Sequence, residues 1–573
     1  MNNWSEGFFK SFDHSEIFYR AWKPENVTKD AVIILHRGHE HSGRVTHLVK
    51  ELSLENKWVF AFDLRGHGQS PGSRGWAPSF DTWVKDLNAF SIFVRTHFNI
   101  EMERTAVVAN SVGSVMAVQW VHDYAPKIRG LVLAAPAFEI KLYVPGALTF
   151  LRLGRKISAQ LFVNSYVRSS MLTRDSVQAK SYDEDPLITK RIAVNILVSL
   201  FDSVKRLLAD AKTIEVPILI LSAGSDVVVS GKAQKAFYEK ISSSKKKFVN
   251  LPGFKHALFH EKNREQVLAP AKQFLEECFE EKKNLPIIIP QPRTYSLESF
   301  QVLLDKPTKP KQVLYYFLRK ALEKIGPISE GMKIGLKHGF DSGYSLDYIY
   351  RNKPHGRFLI GKLVDFFYLN ATGWRGVRQR KIHLKSVLRK TVETLLAQGR
   401  KPVILDCAAG CGRYLFEVAH EIKTPIELHL RDINAFNLEA AKKTAQEMGI
   451  DKATFNCIDA FDPKNYSDQD PQPNVVIISG LFELFSDNEL LHKTLASVKR
   501  IIQKGGYILY TGQPWHPQLE IIARVLNNHQ GRRWIMRTRV QAELDELISY
   551  VGFHKLDTEI DHLGIFTVSI AQN

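Results

Sequence analysis

Short runs of β-branched and aliphatic residues punctuate the first half of the chain, spaced so that a helix fits between them. Residues 31–35 (AVIIL), 58–62, 106–109 and 130–134 are apolar on both faces, the pattern of strands covered on both sides. Two shorter strands, 8–12 and 16–22, precede them around an Asp-His turn. Helical periodicity runs from 44 to about 54, over 80–96 and after residue 111. The alternation lapses between 136 and 213, where apolar, aromatic and basic residues mix (142–153, Arg155, Lys156, Phe162, Tyr166), and resumes with strands at 216–221 and 248–251. Strand–helix alternation predicts an α/β fold with a parallel sheet covered on both faces. A second alternation begins at 402–405 and continues through 426–430, 454–457, 475–479 and 505–511, with further apolar segments at 555–559 and 564–569. Between the two lie helical patterns over 311–399. The stretch 282–310 carries Pro286, Pro290, Pro292, Pro307 and Pro310 with no amphipathic period, so it reads as a linker.

At 573 residues the chain exceeds what one core supports. The expected organisation is a first domain over 1–282 with an insertion over about 137–212, a linker at 283–310, a basic helical region at 311–400 and a last domain at 401–573. No run approaches the about 20 apolar residues of a membrane span, and the first 20 residues lack a secretion pattern. Four scattered cysteines, Cys278, Cys407, Cys411 and Cys457, fit a reducing cytoplasm rather than a disulfide framework. Residues 311–400 hold 18 Lys or Arg against 6 Asp or Glu, so 18 − 6 = +12 of the net +18 falls there. Such a field attracts nucleic acid, anionic lipid or an acidic substrate, or is simply a solvated helical surface. Aromatics interleave with arginine near Trp374, but no RRM, KH or helix-turn-helix pattern accompanies them, which disfavours nucleic acid. No oligomeric state follows from the sequence.

Ser111 lies where an apolar strand breaks into an apolar helix, with the small residues Ala109 and Gly113 two positions to either side. This is a near match to G-x-S-x-G, whose strained turn exposes a nucleophile. A serine there serves equally as a helix cap, so its partners decide. Asp226 follows the strand at 216–221 and His256 the strand at 248–251, giving the chain order Ser, Asp, His. His260 is a rival base near a helix start. His36, His39 and His41 form a cluster, yet their spacing is not that of binuclear metal hydrolases, and no metal is expected. With H-x-G-x-E-H-S-G-R at 36–44 and D-x-R-G-H-G-x-S at 63–70, the first 280 or so residues resemble the α/β-hydrolases of the monoacylglycerol lipase and lysophospholipase-like branch, serine aminopeptidase S33. That resemblance implies a Ser111–His256–Asp226 triad, an oxyanion hole from the backbones of Gly38 and Val112, a helical lid over the serine and no cofactor. Arg37 replaces the glycine usual in the family's lipases, and either binds an anionic substrate group or points to solvent.

Asp406-Cys407-Ala408-Ala409-Gly410-Cys411-Gly412 joins the strand at 402–405 to a helix, and the next strand ends in Asp432. An NAD-type loop has three glycines before the acid, a poorer match. The D-x-x-x-G-x-G pattern resembles the class I S-adenosylmethionine-dependent methyltransferases, and with the basic region it resembles the methyltransferase family found fused behind this type of hydrolase. The resemblance implies a Rossmann-like fold with antiparallel last strands and S-adenosyl-L-methionine held by Asp406, Ala408, Gly410, Gly412, Asp432, Asp459 and Ala460. Glu483 and His516, after the fourth and fifth strands, are candidate bases at an acceptor site, or structural residues. Trp534, with Arg532, Arg533 and Arg537, is a candidate for reading an anionic acceptor. The expectation is a cytoplasmic bifunctional enzyme acting on small-molecule or lipid substrates, with peripheral contact to the anionic inner face of a membrane. The alternatives are a hydrolase with a regulatory S-adenosylmethionine-binding module, and a nucleic-acid methyltransferase with an accessory hydrolase.

Overall fold

Because the apolar runs of the first half are buried on both faces, they pair side by side into one eight-stranded sheet. In chain order the strands are β1 (Trp4–Lys10), β2 (Glu16–Trp22), β3 (Ala31–Leu35), β4 (Trp58–Phe62), β5 (Thr105–Asn110), β6 (Leu131–Ala134), a short ribbon of β7 (Phe162–Asn164) and β8 (Arg191–Ala193), then β9 (Ile218–Ala223) and β10 (Lys246–Leu251). The order across the sheet is β1-β2-β4-β3-β5-β6-β9-β10, antiparallel at β1–β2 and β2–β4 and parallel from β4 onward. The computed structural model describes residues 4–158, 160–281, 289–422, 424–466 and 472–573, and the chain divides into two units, Met1–Asn284 and Leu285–Asn573.

The first strand begins four residues earlier than its pattern indicates and ends before Phe12, because it is an outer strand with most side chains exposed. The helix expected to reach about residue 54 shrinks to a 3-10 turn, Ser42–Val45, and a single turn, Leu48–Glu51. Helices Phe80–Phe98 and Val112–Tyr124 cover the sheet, the second buried along nearly its whole length. The insertion consists of β7, β8 and helices Ala147–Ile157, Ser169–Leu172, Ser176–Glu184 and Val194–Ala209.

The second unit opens with helices rather than a linker. Thr294–Leu304 is a helix lying inside the stretch expected to be structureless; residues 282–288 of that stretch are outside the described residues. Its prolines flank it instead of interrupting it, and it docks on the same unit. Ser296 Oγ donates to Thr538 O at 2.6 Å and Arg293 pairs with Glu546 at 2.7 Å. The basic region is likewise no separate body. Its last helix, Thr372–Ala397, buries Leu384, Leu388, Val392 and Leu395 in the core of the second sheet. Part of its charge is neutralised there, since Lys381 and Lys385 pair with Glu417 at 2.6 and 2.8 Å, and Arg389 with Glu421.

That sheet contains β11 (Val403–Asp406), β12 (Glu427–Asp432), β13 (Ala453–Cys457), β14 (Val475–Ile478), β15 (Tyr507–Gly512), β16 (His554–Ile560) and β17 (Thr567–Gln572). Their order is β13-β12-β11-β14-β15-β17-β16, with β17 antiparallel to both neighbours and the others parallel. This is a Rossmann-like sheet. Its direction of winding reverses beside β11, the place where such sheets take ligands at their carboxyl ends.

Candidate active sites

The backbone turns between β5 and the helix Val112–Tyr124 with Ser111 at φ 54°, ψ −112°, a conformation a non-glycine residue holds only when its surroundings impose it. The imposition is visible. Ser111 N–H donates to Ala134 O of β6 at 2.8 Å, and a Cβ on Gly113 would lie 2.6 Å from His36 O, so the helix can start this close to β3 only with glycine there.

The structure brings Ser111, His256 and Asp226 into one hydrogen-bonded line. His256 Nε2 lies 2.8 Å from Ser111 Oγ, and His256 Nδ1 lies 2.8 Å from Asp226 Oδ2. A carboxylate can only accept, so Nδ1 carries the proton and Nε2 is left to accept the serine hydroxyl. Asp226 Oδ1 is held by the N–H groups of Val228 and Val229 at 2.8 and 3.0 Å. Burial opposes the charge on Asp226, but His256 and the two backbone donors outweigh it and keep the carboxyl below its usual range. All three side chains are buried. Val112 opens its helix, so its N–H has no intrahelical acceptor, and Gly38 faces it, an added Cβ falling 3.4 Å from Val112 Cγ2. A serine hydroxyl bonded to an imidazole nitrogen, with the Val112 N–H opening the next helix beside it, is an arrangement that can carry out acyl transfer.

His260, the rival base, instead makes a 3.0 Å hydrogen bond to Arg44 O. Arg37 does neither of the things expected of it. It is 4% exposed, donates to Glu40 Oε1 at 2.7 Å and lies 5.1 Å from the Tyr182 ring centroid in the lid. The rings of His36 and His41 and the backbone of His39 are engaged in fixing loops. His36 Nδ1–H donates to Arg37 O at 2.8 Å while its Nε2 accepts from Leu64 N–H at 3.1 Å. His41 Nε2 bonds Asp185 of the lid at 3.0 Å, and Thr189 N–H reaches His39 O at 3.2 Å. The loop that carries Gly38 is thus stitched to the lid by Arg37, His39 and His41, a role that motif spacing gives no sign of.

In the second unit the turn after β11 has Gly410 and Gly412 at φ 55° and 63°. A Cβ on Gly412 would lie 2.5 Å from Leu430 Cδ2, so this position needs glycine for packing as well as for conformation. Asp406, expected among the cofactor contacts, is fully buried and braces the turn, accepting from Ala408 N–H at 3.2 Å and from the Tyr414 hydroxyl. Burial pushes its carboxyl up to about 7 despite these bonds. Cys407 and Cys411 are buried with thiols pushed up to about 12 by the same desolvation, so they are inert packing groups in the turn.

Asp432 closes β12 beside the turn, accepting from Gly410 N–H at 2.8 Å, Asn434 N–H at 2.8 Å and Asn437 Nδ2 at 3.1 Å. Asp459 is exposed next to buried Ala460. A carboxylate at the second strand's end beside a glycine turn suits ribose hydroxyls and in that respect fits S-adenosylmethionine, while the turn's own N–H groups at Ala408, Ala409, Gly410 and Gly412 are spent on Asp406, Arg431 O, Asp432 and Ala409 O. Space is tighter. Gly343 roofs the turn so closely that its Cβ would lie 2.8 Å from Gly410 Cα, and Asp347 of the same helix, Gly343–Arg351, pairs with Arg413. The cavity against the turn holds ≈ 40 Å³.

Beyond the carboxyl ends of β14 and β15 lies a larger, mainly apolar cavity of ≈ 190 Å³. Glu483, His516 and Trp534 all line it, together with Arg380 and Gln513. Arg537 does not line it. This residue is buried against Glu543 at 2.8 Å and Asn488 at 3.1 Å, which takes it out of any role in reading an acceptor. His516 Nδ1 accepts from Gln518 N–H at 3.1 Å, and burial lowers its pKa to about 4. The ring is therefore neutral with its proton on Nε2, a donor, which of the two readings open for His516 favours the structural one over the base.

The two sites define a chain with an α/β-hydrolase unit followed by a Rossmann-like methyltransferase unit. Residues 26–263 match the family model described as Serine aminopeptidase, S33, and residues 271–573, more than half of the chain, match the one described as Putative methyltransferase. The chain belongs to that methyltransferase family. It is 41% identical over 572 residues to YnbC of Escherichia coli (strain K12), which covers 99% of this chain and 98% of that protein. The first half alone is similar to phospholipase YtpA of Bacillus subtilis (strain 168), 25% identical over 45% of this chain and 98% of that protein. It is also similar to human monoglyceride lipase, 27% identical over 44% of this chain and 82% of that one.

Proposed function

We propose that the chain is a bifunctional enzyme. Its first unit is a serine hydrolase that cleaves an acyl ester of lysophospholipid or monoacylglycerol type, and its second transfers a methyl group from S-adenosyl-L-methionine to a lipid-related acceptor. The observation that carries the hydrolase reading is the Ser111–His256–Asp226 line with Ser111 held at φ 54°. Ser111 Oγ attacks the ester carbonyl as His256 Nε2 takes its proton. The N–H groups of Gly38 and Val112 receive the oxyanion, and His256 returns the proton to the leaving alkoxide. Asp226 holds the imidazole's tautomer and stabilises its cation. The lipase and phospholipase relatives support a lipid ester as substrate. Peripheral contact with an anionic membrane is supported by the lid helix Ala147–Ile157, which exposes Phe150 (69%), Leu153 (52%) and Ile157 (88%) beside Arg152, Arg155 and Lys156. No helix among the described residues is long and apolar enough to cross a membrane.

When bound, the cofactor supplies a methyl group activated on a sulfonium. Gly410, Gly412 and Asp432 would hold it, with Asp459 and Ala460 alongside. Loading it requires the helix Gly343–Arg351 to yield, and the tight fit of Gly343 on Gly410 favours a second reading in which this unit only senses the cofactor. Two assays test the proposal. Ser111→Ala should abolish hydrolysis of p-nitrophenyl butyrate, and calorimetry should detect S-adenosylmethionine binding that Asp432→Ala removes. Hydrolysis by the Ser111 variant refutes the first activity, and a flat calorimetric trace refutes the second.

A further inference from the structure

The ≈ 190 Å³ cavity of the second unit is walled mostly by aromatic and aliphatic side chains, among them Phe340, Tyr368, Trp374 and Phe566. Four polar atoms in its lining nevertheless meet no protein partner: Arg380 Nε, Gln513 Nε2, Trp534 Nε1 and Glu483 Oε2. Arg380, Gln513 and Glu483 are each more than nine-tenths buried. Single unmet atoms recur elsewhere among the described residues, arginine Nε atoms above all, but four gathered in the lining of one apolar cavity are the mark of a ligand's polar end.

The balance of donors and acceptors narrows that ligand. Three N–H groups and the Nε2–H of neutral His516 face the cavity, against one free carboxylate oxygen. Arg380 Nη1 and Glu483 Oε1 pair at 3.3 Å, so the site's own charges cancel and neither calls for a counter-ion. A hydrocarbon would leave every polar atom unmet. A cation would leave the donors unmet, and an anion would lie against Glu483. A hydroxyl meets both kinds of group at once, its two lone pairs accepting from at most two of the N–H donors while its O–H donates to Glu483 Oε2.

We propose that this cavity binds a neutral, apolar molecule through a single hydroxyl, an alcohol or a phenol, with Glu483 Oε2 accepting its proton in a hydrogen bond. Taken with the methyl-transfer reading, on which this extension rests, the acceptor atom is an oxygen: an O–CH₃ bond would form as the donor's S–CH₃ bond breaks, the donor would leave as the neutral thioether, and the hydroxyl proton would pass to Glu483 Oε2. Glu483 then orients the hydroxyl, and the oxygen accepts from one of the N–H groups of His516, Gln513 and Trp534 while its second lone pair stays free for the methyl group. Gly373 is part of the design, since a Cβ there would lie 2.9 Å from His516 Nε2 and crowd the donor face.

The full-length protein, without methyl donor, is titrated calorimetrically with 2-naphthol, 2-methoxynaphthalene and 2-naphthoate. The expected result is that 2-naphthol binds at least about tenfold more tightly than its methyl ether or the carboxylate, the scale of one hydrogen bond to a charged group. Glu483→Gln should erase that preference, and Ala371→Phe, which puts a ring into the cavity from its lining, should abolish binding. Equal affinities, a preference for the carboxylate, no binding of 2-naphthol, or unchanged binding in both variants overturns the proposal. A parallel titration with S-adenosylmethionine separates the two claims. Selective 2-naphthol binding with no S-adenosylmethionine binding keeps the hydroxyl site and removes methyl transfer, whereas the reverse pattern removes the hydroxyl site alone.

Discussion

Replacing Asp226 by Asn tests the triad through its proton rather than its shape. Asp226 Oδ1 accepts two backbone N–H groups, at 2.8 and 3.0 Å, so the variant's amide has one tolerable orientation. Its carbonyl oxygen must face those donors, and its NH₂ group must face His256 Nδ1. That nitrogen then becomes an acceptor, and the ring's proton moves to Nε2, where it points at Ser111 Oγ across 2.8 Å. The imidazole can no longer take the serine proton, and the carboxylate that steadies the imidazolium is gone. A tautomer switch of this kind in a serine triad lowers kcat by about 10⁴, or about 5.5 kcal/mol of transition-state stabilisation. The assay is steady-state hydrolysis of p-nitrophenyl butyrate, with KM expected to change little because the acyl-binding surface is intact. Thermal unfolding of the variant serves as the control for folding. A folded Asn variant retaining more than about a tenth of wild-type kcat would show that Asp226 does not set the histidine's tautomer.

Three further outcomes follow from the geometry. Arg37→Ala removes the guanidinium between Glu40 and Tyr182 while Arg44 stays on Glu40 at 2.9 Å, and should cost about 2 kcal/mol in urea unfolding, with the lid becoming protease-sensitive; an unchanged midpoint contradicts the buried-pair role. His516 is neutral in the fold down to about 4 and protonates near 6.5 when unfolded, so the second unit should lose up to about 3 kcal/mol as pH falls between those values. His516→Gln should flatten that slope, measured by chemical unfolding at several pH values, and an identical slope in the variant refutes the assignment. Asp347→Ala should release the helix over the glycine turn and tighten S-adenosylmethionine binding about tenfold by calorimetry, the scale of one charge-assisted bond; weaker binding would mean that the helix helps form the site.

The buried strands were legible because nothing but a doubly covered strand explains runs such as AVIIL at Ala31–Leu35. The nucleophile turn was legible because its strain demands Ala109 and Gly113 around Ser111. What escaped reading depends on partners distant in sequence. Arg37 looked free because Tyr182, the ring it packs against, lies in an insertion without motif character. The helix Thr294–Leu304 looked like linker because prolines surround it, although its packing on Thr538 and Glu546 decides its state. His516 looked equally like a base or a structural residue because only the Gln518 N–H bond reveals which ring nitrogen carries the proton. Gly343 lies 67 residues before Gly410, and no local pattern could place one on the other.

The central claim is that Ser111 is the nucleophile of a working hydrolase, and a fluorophosphonate probe tests it most directly. After the full-length protein is treated with the probe, peptide mass mapping should find one adduct, on Ser111, and none on the Ser111→Ala protein. Absence of the adduct, or its persistence on another residue of the variant, would contradict the account.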